Sequence, residues 1–276
     1  MCCVVAFIKA QGYKEPKIWG FEGVAKGEKM PNIWDQKSKN FPGFCLEDTE
    51  SMQILDYFKE QGICWRGKNV LDIGCGSGRY ALRFAQEAKK VYATDISAGM
   101  IERLLRDVDS YGYRNIIASC EPWEEYDPKS PIDIAFASMT PALSNFKAFQ
   151  KAFTLAKEAL AYVGWGRKRE SAFLQKVFKA HHIQLELPTG APDVMQFLAQ
   201  MGKHPKVSYI QKTKIYRNSL DNAINDIAWH ISIHQAVPNK ELIHTLIKEE
   251  IARTNQTDDT FSYSTQMEIG LIALIK

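Results

Sequence analysis

Hydrophobic and polar positions follow two different periods along this chain. From residue 69 onward, short apolar runs typical of buried strands alternate with segments whose apolar residues recur every three or four positions, as in amphipathic helices. The runs predict strands at 69–74, 90–95, 114–119, 131–138 and 161–166, and the segments between them predict helices at 78–88, 97–110 and 142–160. Strict alternation of this kind predicts a doubly wound α/β fold around a mostly parallel, seven-stranded sheet.

The second half of the chain is less regular. Its pattern predicts helices at 167–182 and 191–202, a strand at 206–218, two helices within 218–254 that separate at Pro238, and a closing strand at 260–276. Two late strands separated by a helical insertion indicate an antiparallel edge to the sheet. We therefore expect one domain over residues 46–276, beginning with a helix at 46–61, whose insertion at 218–254 faces the substrate.

Residues 1–45 differ from the rest because they are rich in Gly, Pro and aromatic residues and show no sustained period. They are interpreted as an irregular arm or lid with one helix around residues 35–40. The seven-residue apolar run after Met1 is too short to span a bilayer and lacks the basic start of a signal peptide. The expected location is therefore cytoplasmic, with no membrane partner.

Composition excludes few functions. The chain has 276 residues, 45% hydrophobic and 24% charged, and its net charge of +3 arises from 35 basic and 32 acidic residues. That balance is too even to indicate a nucleic-acid or membrane partner. The six cysteines include no CxxC pair and the sequence has no clustered His spacing, so neither a metal site nor a disulfide framework is predicted.

The stretch "NVLDIGCGSGRYAL", residues 69–82, holds the most specific chemistry. After a strand, Gly74 allows a sharp turn, Gly76 allows backbone to touch a ligand, and Gly78 allows close packing as a helix begins. The dinucleotide fingerprint GxGxxG would need glycine at position 79 or 81, which are Arg79 and Ala81. A nicotinamide oxidoreductase is therefore disfavoured.

Preceded by Asp72, the GxGxG turn resembles motif I of class I S-adenosylmethionine-dependent methyltransferases. The resemblance implies S-adenosylmethionine as cofactor, and Asp95 at the end of the second strand as the carboxylate that holds the two ribose hydroxyls. Asp72 could equally brace the turn. The implied cofactor-binding residues are Trp34, Asp72, Gly74, Cys75, Gly76, Gly78, Asp95, Ile96, Glu121, Trp123, Ser138 and Met139.

Three further segments contribute to the resemblance. "CEPWEEY" supplies Glu121 and Trp123 near the adenine, which packs on Ile96, although the family more often has Asp where Glu121 stands. "PIDIAFASMTPAL" is similar to motif IV, whose end, with Ser138 and Met139, would face the methyl-transfer site. "WDQKSKNF" is similar to a stretch in which Trp34 and Phe41 would close over the cofactor.

These features imply a methyltransferase that acts on a small molecule. The "SMTP" segment differs from the Asn/Asp-Pro-Pro-aromatic tetrapeptide of enzymes that methylate base amino groups, and no Pro-Cys pair exists for cytosine C5 chemistry, so no DNA partner is expected. Methylation of RNA or protein, or a noncatalytic regulator that binds the cofactor, stay open as alternatives. The sequence nominates no catalytic base and no oligomeric state.

Overall fold

A computed structural model describes residues 33–39, 41–184, 187–234, 236–256 and 260–276. Of the arm predicted over residues 1–45, residues 1–32 and residue 40 lie outside the described residues. None of the helices in the described part is long and apolar enough to cross a membrane. The helices are α1 Ile33–Ser38, α2 Thr49–Glu60, α3 Ala81–Ala85, α4 Ala98–Tyr111, α5 Phe146–Leu155, α6 Ala172–Ala180, α7 Ala191–Gln200, α8 Leu220–Ser232 and α9 Lys240–Thr254.

One seven-stranded sheet forms the centre of the described chain, as the sequence predicts. Its strands are β1 Asn69–Ile73, β2 Lys90–Asp95, β3 Ile116–Cys120, β4 Ile132–Ser138, β5 Ala156–Glu170, β6 Lys206–Ser219 and β7 Thr260–Ile275. Their order across the sheet is β3-β2-β1-β4-β5-β7-β6. The first five strands pair in parallel, whereas β7 is antiparallel to both β5 and β6. The mostly parallel sheet with an antiparallel edge is thus confirmed.

Two hydrophobic clusters cover the opposite faces of this sheet. Alternate strand residues enter different clusters, as Val70 and Leu71 of β1 show, because successive side chains of a strand point to opposite faces. Helices α2, α3 and α4 pack on the face of Val70, and α5 and α7 pack on the face of Leu71. Helices on both faces explain why the inner strands are apolar throughout.

The boundary between α5 and β5 corrects two sequence predictions. The helix predicted to continue to residue 160 ends at Leu155, and residues 167–170, predicted as helical, belong to β5. Local propensity favours helix in "AKEAL", but Ala159 and Leu160 lie between β4 and β7 and are buried on the two faces of the sheet. Burial and pairing on both sides therefore outweigh propensity here.

The helical insertion forms a third cluster with α6. Ile227 of α8, Ile247 of α9 and Val177 of α6 are fully buried together, and α8 and α9 lie on either side of Pro238 as predicted. Both β5 and β6 are antiparallel to β7, so their carboxyl ends point to the same edge as those of β1 and β4. Since α6 follows β5 and α8 follows β6, the insertion begins at the edge that carries the glycine turn.

Candidate functional site

The glycine turn between β1 and α3 is built from three residues in the left-handed region of backbone space. Gly74, Gly76 and Gly78 have φ angles of 65°, 54° and 94°. A Cβ on Gly74 would lie 2.0 Å from Thr140 Oγ1, and one on Gly78 would lie 2.4 Å from Leu104 Cδ1. Backbone conformation and close packing therefore both require glycine at these two positions.

Gly76 differs from the other two glycines because the space beside it is open. The closest non-neighbouring atom to a Cβ at this position would be Phe41 Cε1, 3.8 Å away. The chain before α2 lies over the turn, since Ser77 Oγ donates to Pro42 O at 2.7 Å. The backbone at Gly76 can thus be approached closely by a ligand, with Phe41 above it.

Cys75 lies inside the turn and contributes its backbone. Its N–H donates to Thr94 O at 3.0 Å, which ties the turn to β2. The side chain is buried, and burial raises the pKa of the thiol. Because a reactive cysteine needs a lowered pKa and access to solvent, this thiol is inert.

Asp72 lies near the end of β1 and is only 2% exposed. Its carboxylate interacts with the backbone N–H of Ala81 at the start of α3, while Oδ2 has no partner among the described residues. Burial, followed by the negative charge of Asp95, raises the pKa of Asp72 to about 8. At neutral pH the ligand-free protein therefore holds a protonated carboxylic acid beside the glycine turn.

Asp95 ends β2, and its carboxylate reaches the glycine turn. The N–H of Gly76 donates to Oδ2 at 2.9 Å and the N–H of Ser97 donates to Oδ1 at 2.9 Å. Burial raises the pKa of Asp95, and the two backbone donors oppose that rise. Each carboxylate oxygen has a further lone pair, so Asp95 can also accept from a vicinal diol. Ile96, the next residue, is 38% exposed and presents apolar surface.

A second carboxylate, Asp35 of α1, is bound to the same loop and was not among the residues predicted from the sequence. Its Oδ1 accepts from Ser97 Oγ at 2.6 Å and from Gly99 N at 3.1 Å. An anion at the amino end of α4 is favoured by the helix dipole. Asp35 therefore anchors α1 beside the end of β2, and its only signal in the sequence was its place next to Trp34.

Trp34 lies against the helical insertion. Its ring meets that of Trp229 on α8 edge to face, with centroids 5.7 Å apart. In the same pair of helices, Lys37 Nζ contacts Asp226 Oδ1 at 3.0 Å and lies 4.4 Å from the Trp229 ring centroid. The arm and the insertion, far apart in sequence, thus meet through α1 and α8.

The two cofactor-binding residues predicted after β3, Glu121 and Trp123, lie in different surroundings. The N–H of Glu121 donates to the backbone carbonyl oxygen of Asp95 at 3.0 Å, so Glu121 lies next to Asp95. Trp123 is 4% exposed, donates from Nε1 to Ala148 O at 3.0 Å, and has the ammonium of Lys151 4.6 Å from its ring centroid. The expectation that Trp123 lines the adenine edge is therefore corrected: it is a core residue packed against α5.

The end of β4 carries backbone strain next to the glycine turn. Ser138 is the last strand residue, and Met139 has a φ of 52° while its N–H donates to Val163 O at 2.8 Å. A left-handed conformation in a residue other than glycine costs about 1–3 kcal/mol and is found most often at functional sites. Thr140, which follows, contacts Gly74 and accepts from Ala142 N at 3.2 Å.

Two arginines that follow the glycine turn bind the chain before and at the start of α2. Arg79 makes two hydrogen bonds to Asp48, of 2.6 Å and 2.9 Å, and this contact lowers the pKa of Asp48 to about 2. Arg83 is buried and donates to Ser51 Oγ and to the carbonyl oxygens of Cys45, Leu46 and Asp48. These long-range contacts, which the sequence did not predict, fasten the chain before α2 over the turn.

In the described part of the chain, no three His, Cys, Asp or Glu residues are arranged to hold a metal ion. The site consists instead of a glycine turn, the buried carboxylate of Asp72, the half-buried carboxylate of Asp95, an exposed isoleucine and a strained loop. All of them lie at the carboxyl ends of β1, β2 and β4, where open α/β sheets bind ligands.

Comparisons with known proteins identify the same region. A family model described as a methyltransferase domain matches residues 70–164. An uncharacterised protein of Haemophilus influenzae is 36% identical over 120 residues, 42% of this chain and 42% of that protein. The ubiquinone biosynthesis O-methyltransferase of a Bradyrhizobium species is 26% identical over 186 residues, 63% of this chain and 73% of that protein.

Among solved structures, the YcgJ protein from Bacillus subtilis matches with a TM-score of 0.50 and 17% identity, over 80% of this chain and 98% of that one. At that identity the match shows the fold alone. The chain spans about half the length of the more identical curated relatives, 42% and 52% of the first two. Activity and substrate therefore have to be argued from the site itself.

Proposed function

We propose that this chain is a class I S-adenosylmethionine-dependent methyltransferase and that it transfers the methyl group of S-adenosylmethionine to a small molecule. One observation carries the proposal: the N–H of Gly76, in the glycine turn, donates to Oδ2 of Asp95, at the end of β2. The region that matches the methyltransferase family model, residues 70–164, contains both elements.

The residues around the turn fit this cofactor. The open side of Gly76 admits a ligand against the backbone, the carboxylate of Asp95 suits two ribose hydroxyls, and Ile96 offers apolar surface to the adenine. Asp72 Oδ2, which has no partner among the described residues, is suited to the cofactor's amino group. When bound, S-adenosylmethionine supplies a methyl group activated by the positive sulfonium.

The contribution of the chain to methyl transfer is binding and alignment. Holding an acceptor atom in line with the reacting bond contributes up to about 7–11 kcal/mol in favourable cases. The strained loop at Ser138 and Met139 lies at the carboxyl end of β4, next to the glycine turn, and we expect it to face the reacting groups. We assign no residue the role of general base.

The arm before residue 45 and the insertion at 218–254 are proposed to form the acceptor site. In support, the insertion begins at the carboxyl edge of the sheet, and the arm crosses the turn at Pro42 and Ser77. The two segments also touch, through the Trp34–Trp229 ring pair. A closed edge of this kind excludes water from a reactive site.

A small-molecule acceptor is favoured by two relatives named ubiquinone biosynthesis O-methyltransferase, which match 63% and 82% of this chain. Two relatives named protein-L-isoaspartate O-methyltransferase match shorter stretches, 38% and 32%. The Bradyrhizobium relative is named for ubiquinone biosynthesis, which is small-molecule chemistry, and this chain covers 73% of it. An acceptor site formed between an arm and a helical insertion is enclosed, whereas a large RNA or a folded protein would need an open surface.

Calorimetry tests cofactor binding first, and a turnover assay then tests methyl transfer. Titration with S-adenosylhomocysteine is expected to give a binding isotherm, whereas NAD is expected to give none. NAD binding without S-adenosylhomocysteine binding would overturn the assignment. A metabolite pool and an RNA pool, each incubated with methyl-labelled cofactor, then identify the acceptor: label is expected in a small molecule. Label in RNA would overturn the acceptor class, and cofactor binding without any turnover would indicate a noncatalytic regulator.

A further inference from the structure

The part of the sheet beyond the end of β4 carries a group of basic and aromatic side chains that the cofactor site does not use. Strand β5 continues past its last pairing with β4, at Val163, and its later residues pair only with β7. Side chains two positions apart on a strand share a face. One face of β7 therefore carries three adjacent cross-strand pairs: Arg169 with Met267, Lys214 with Thr265, and Tyr216 with Tyr263.

Arg169 and Lys214 are the two central cations of this face, and neither forms an ion pair with another described residue. Their charged groups rest on aromatic rings instead. The guanidinium of Arg169 is 4.8 Å from the ring centroid of Trp165, and the ammonium of Lys214 is 4.7 Å from that of Tyr216. Aromatic faces hold a cation in place without neutralising its charge.

The carboxylates that act electrostatically on this face are already bound to other cations. Asp226 pairs with Lys37 at 3.0 Å. Glu50 pairs with Lys212 and, at 3.3 Å, with Arg79. The charges of Arg169 and Lys214 are thus an excess that no described side chain balances.

Two residues of this face, Arg169 and Thr265, line a small pocket together with Ser171 and Phe178. Lys214 is exposed and Arg169 is half-buried, yet desolvation by the surrounding protein lowers the pKa of each. Half-buried His230 of α8 has a pKa lowered to about 3, by burial first and then by the charge of Arg169, so it is neutral. Thr265 Oγ1 is buried on the same face and has no partner among the described residues. Ionisable groups with perturbed pKa values beside an unpartnered buried hydroxyl group are typical of functional sites.

We propose that the cationic cluster, defined as Arg169, Lys214, Tyr216 and Tyr263, binds a carboxylate or phosphate group of the methyl acceptor. The proposal rests on the proposed methyltransferase function. A guanidinium presents parallel N–H donors that match an oxyanion, and an ammonium adds a second charge. The two tyrosine rings stack 4.9 Å apart at 8° and form a flat wall beside the cations.

The location orients the acceptor. The cluster lies near the carboxyl ends of β5 and β6 and the amino end of β7, at the edge of the sheet where the glycine turn lies. An acceptor whose anionic end is held by Arg169 and Lys214 therefore extends along this edge toward the strained loop at Met139. The acceptor class that fits is a small acid or phosphate ester with its reacting atom at the opposite end.

The test is calorimetric titration of the full chain, saturated with S-adenosylhomocysteine, with inorganic phosphate and separately with benzoate at constant ionic strength. Wild type is expected to bind at least one of the two anions, and comparison of the two identifies phosphate or carboxylate. Arg169→Met and Lys214→Met are each expected to weaken that binding at least tenfold. The controls Arg66→Met and Lys206→Met, which remove the same charges from exposed positions near the amino-terminal edge of the sheet, are expected to leave it unchanged.

Stability measurements separate binding from folding. Because the two cations are unbalanced, Arg169→Met and Lys214→Met are expected to leave the Tm of the ligand-free protein unchanged or raise it, whereas a purely structural role predicts a lower Tm. Arg169→Lys, which keeps the charge, is expected to keep part of the anion affinity even if Arg169→Met does not fold. Equal anion binding in wild type and variants, or none in wild type, would overturn the cluster proposal. Anion binding to protein that does not bind S-adenosylhomocysteine would overturn the methyltransferase function, and with it the assignment of the anion to a methyl acceptor, but would leave the cluster as an anion site.

Discussion

Replacement of Asp72 by asparagine tests the electrostatics at the base of the glycine turn. The side chain is 2% exposed, and its pKa is raised from an ordinary value of 3.8 to about 8, chiefly by burial and then by Asp95. Between these two values the folded protein binds a proton that the unfolded chain has released. Stability contributed by the neutral acid is therefore fully present below pH 3.8 and is lost as the pH rises through about 8.

The magnitude follows from the size of the shift. One pKa unit corresponds to about 1.4 kcal/mol, and pH 7 lies about three units above the ordinary value, so the upper limit at that pH is about 4 kcal/mol. Coupling to Asp95 and residual structure in the unfolded chain reduce this figure, and we expect about 1–4 kcal/mol. Asparagine has the shape of the protonated acid and cannot ionise, so Asp72→Asn removes the penalty.

Urea unfolding of the ligand-free protein at pH 4 and pH 7 measures the effect. Asp72→Asn is expected to be close to wild type at pH 4 and more stable than wild type by about 1–4 kcal/mol at pH 7. Asp109→Asn, at an exposed carboxylate on α4, is the matched control and is expected to follow wild type at both values. A constant difference between Asp72→Asn and wild type across this range would refute the reasoning.

Three more predictions concern the site. Asp95→Ala is expected to weaken S-adenosylhomocysteine binding by about 1.5–3 kcal/mol, because a charge-assisted pair of hydrogen bonds is lost; a folded variant with wild-type affinity in calorimetry would disprove the ribose assignment. Gly74→Ala would place a Cβ 2.0 Å from Thr140 Oγ1. The matched control is Gly67→Ala, where φ is 71° but no atom lies within 4 Å of the added Cβ. Gly74→Ala is expected to lower the free energy of unfolding by about 1–3 kcal/mol more than the control, and equal losses in urea unfolding would contradict this. The pKa of His230 is lowered from 6.5 to about 3, so its contribution to stability is lost as the pH falls below 6.5. Relative to wild type, His230→Gln is expected to be more stable at pH 5 than at pH 8 by up to about 2 kcal/mol, and an unchanged difference between the two pH values would rule out a neutral histidine at this position.

The features that could be predicted from the sequence are those that depend only on residues close together in the chain. The apolar runs that became β1, β2 and β4 are local, and so is the turn with Gly74, Gly76 and Gly78, whose positive φ angles only glycine adopts readily. The place of Asp95 in the site could also be predicted, because a residue at the carboxyl end of a strand lies at the edge of a parallel sheet where ligands bind.

Where local propensity and tertiary contacts disagree, the sequence prediction was wrong. Residues 156–160 favour helix, but pairing with β4 and β7 makes them part of β5. Trp123 follows the expected strand, yet its direction depends on the carbonyl of Ala148, which lies on α5. Neither outcome is encoded within a window of neighbouring residues, since each depends on a partner from a different element.

Only the tertiary structure decided which distant residues share the site. Asp35 reaches Ser97, Arg79 reaches Asp48, and Arg169 shares one face of the sheet with Lys214. The sequence determined the glycine turn, the strand-end carboxylates and the order of elements, because those depend on backbone preference and the alternation of side chains. Contacts across the sheet depend on strand order and on the burial of whole faces, which the preferences of single residues do not specify. The long-range contacts of Asp35, Arg79 and Arg169 therefore follow from packing and not from local sequence.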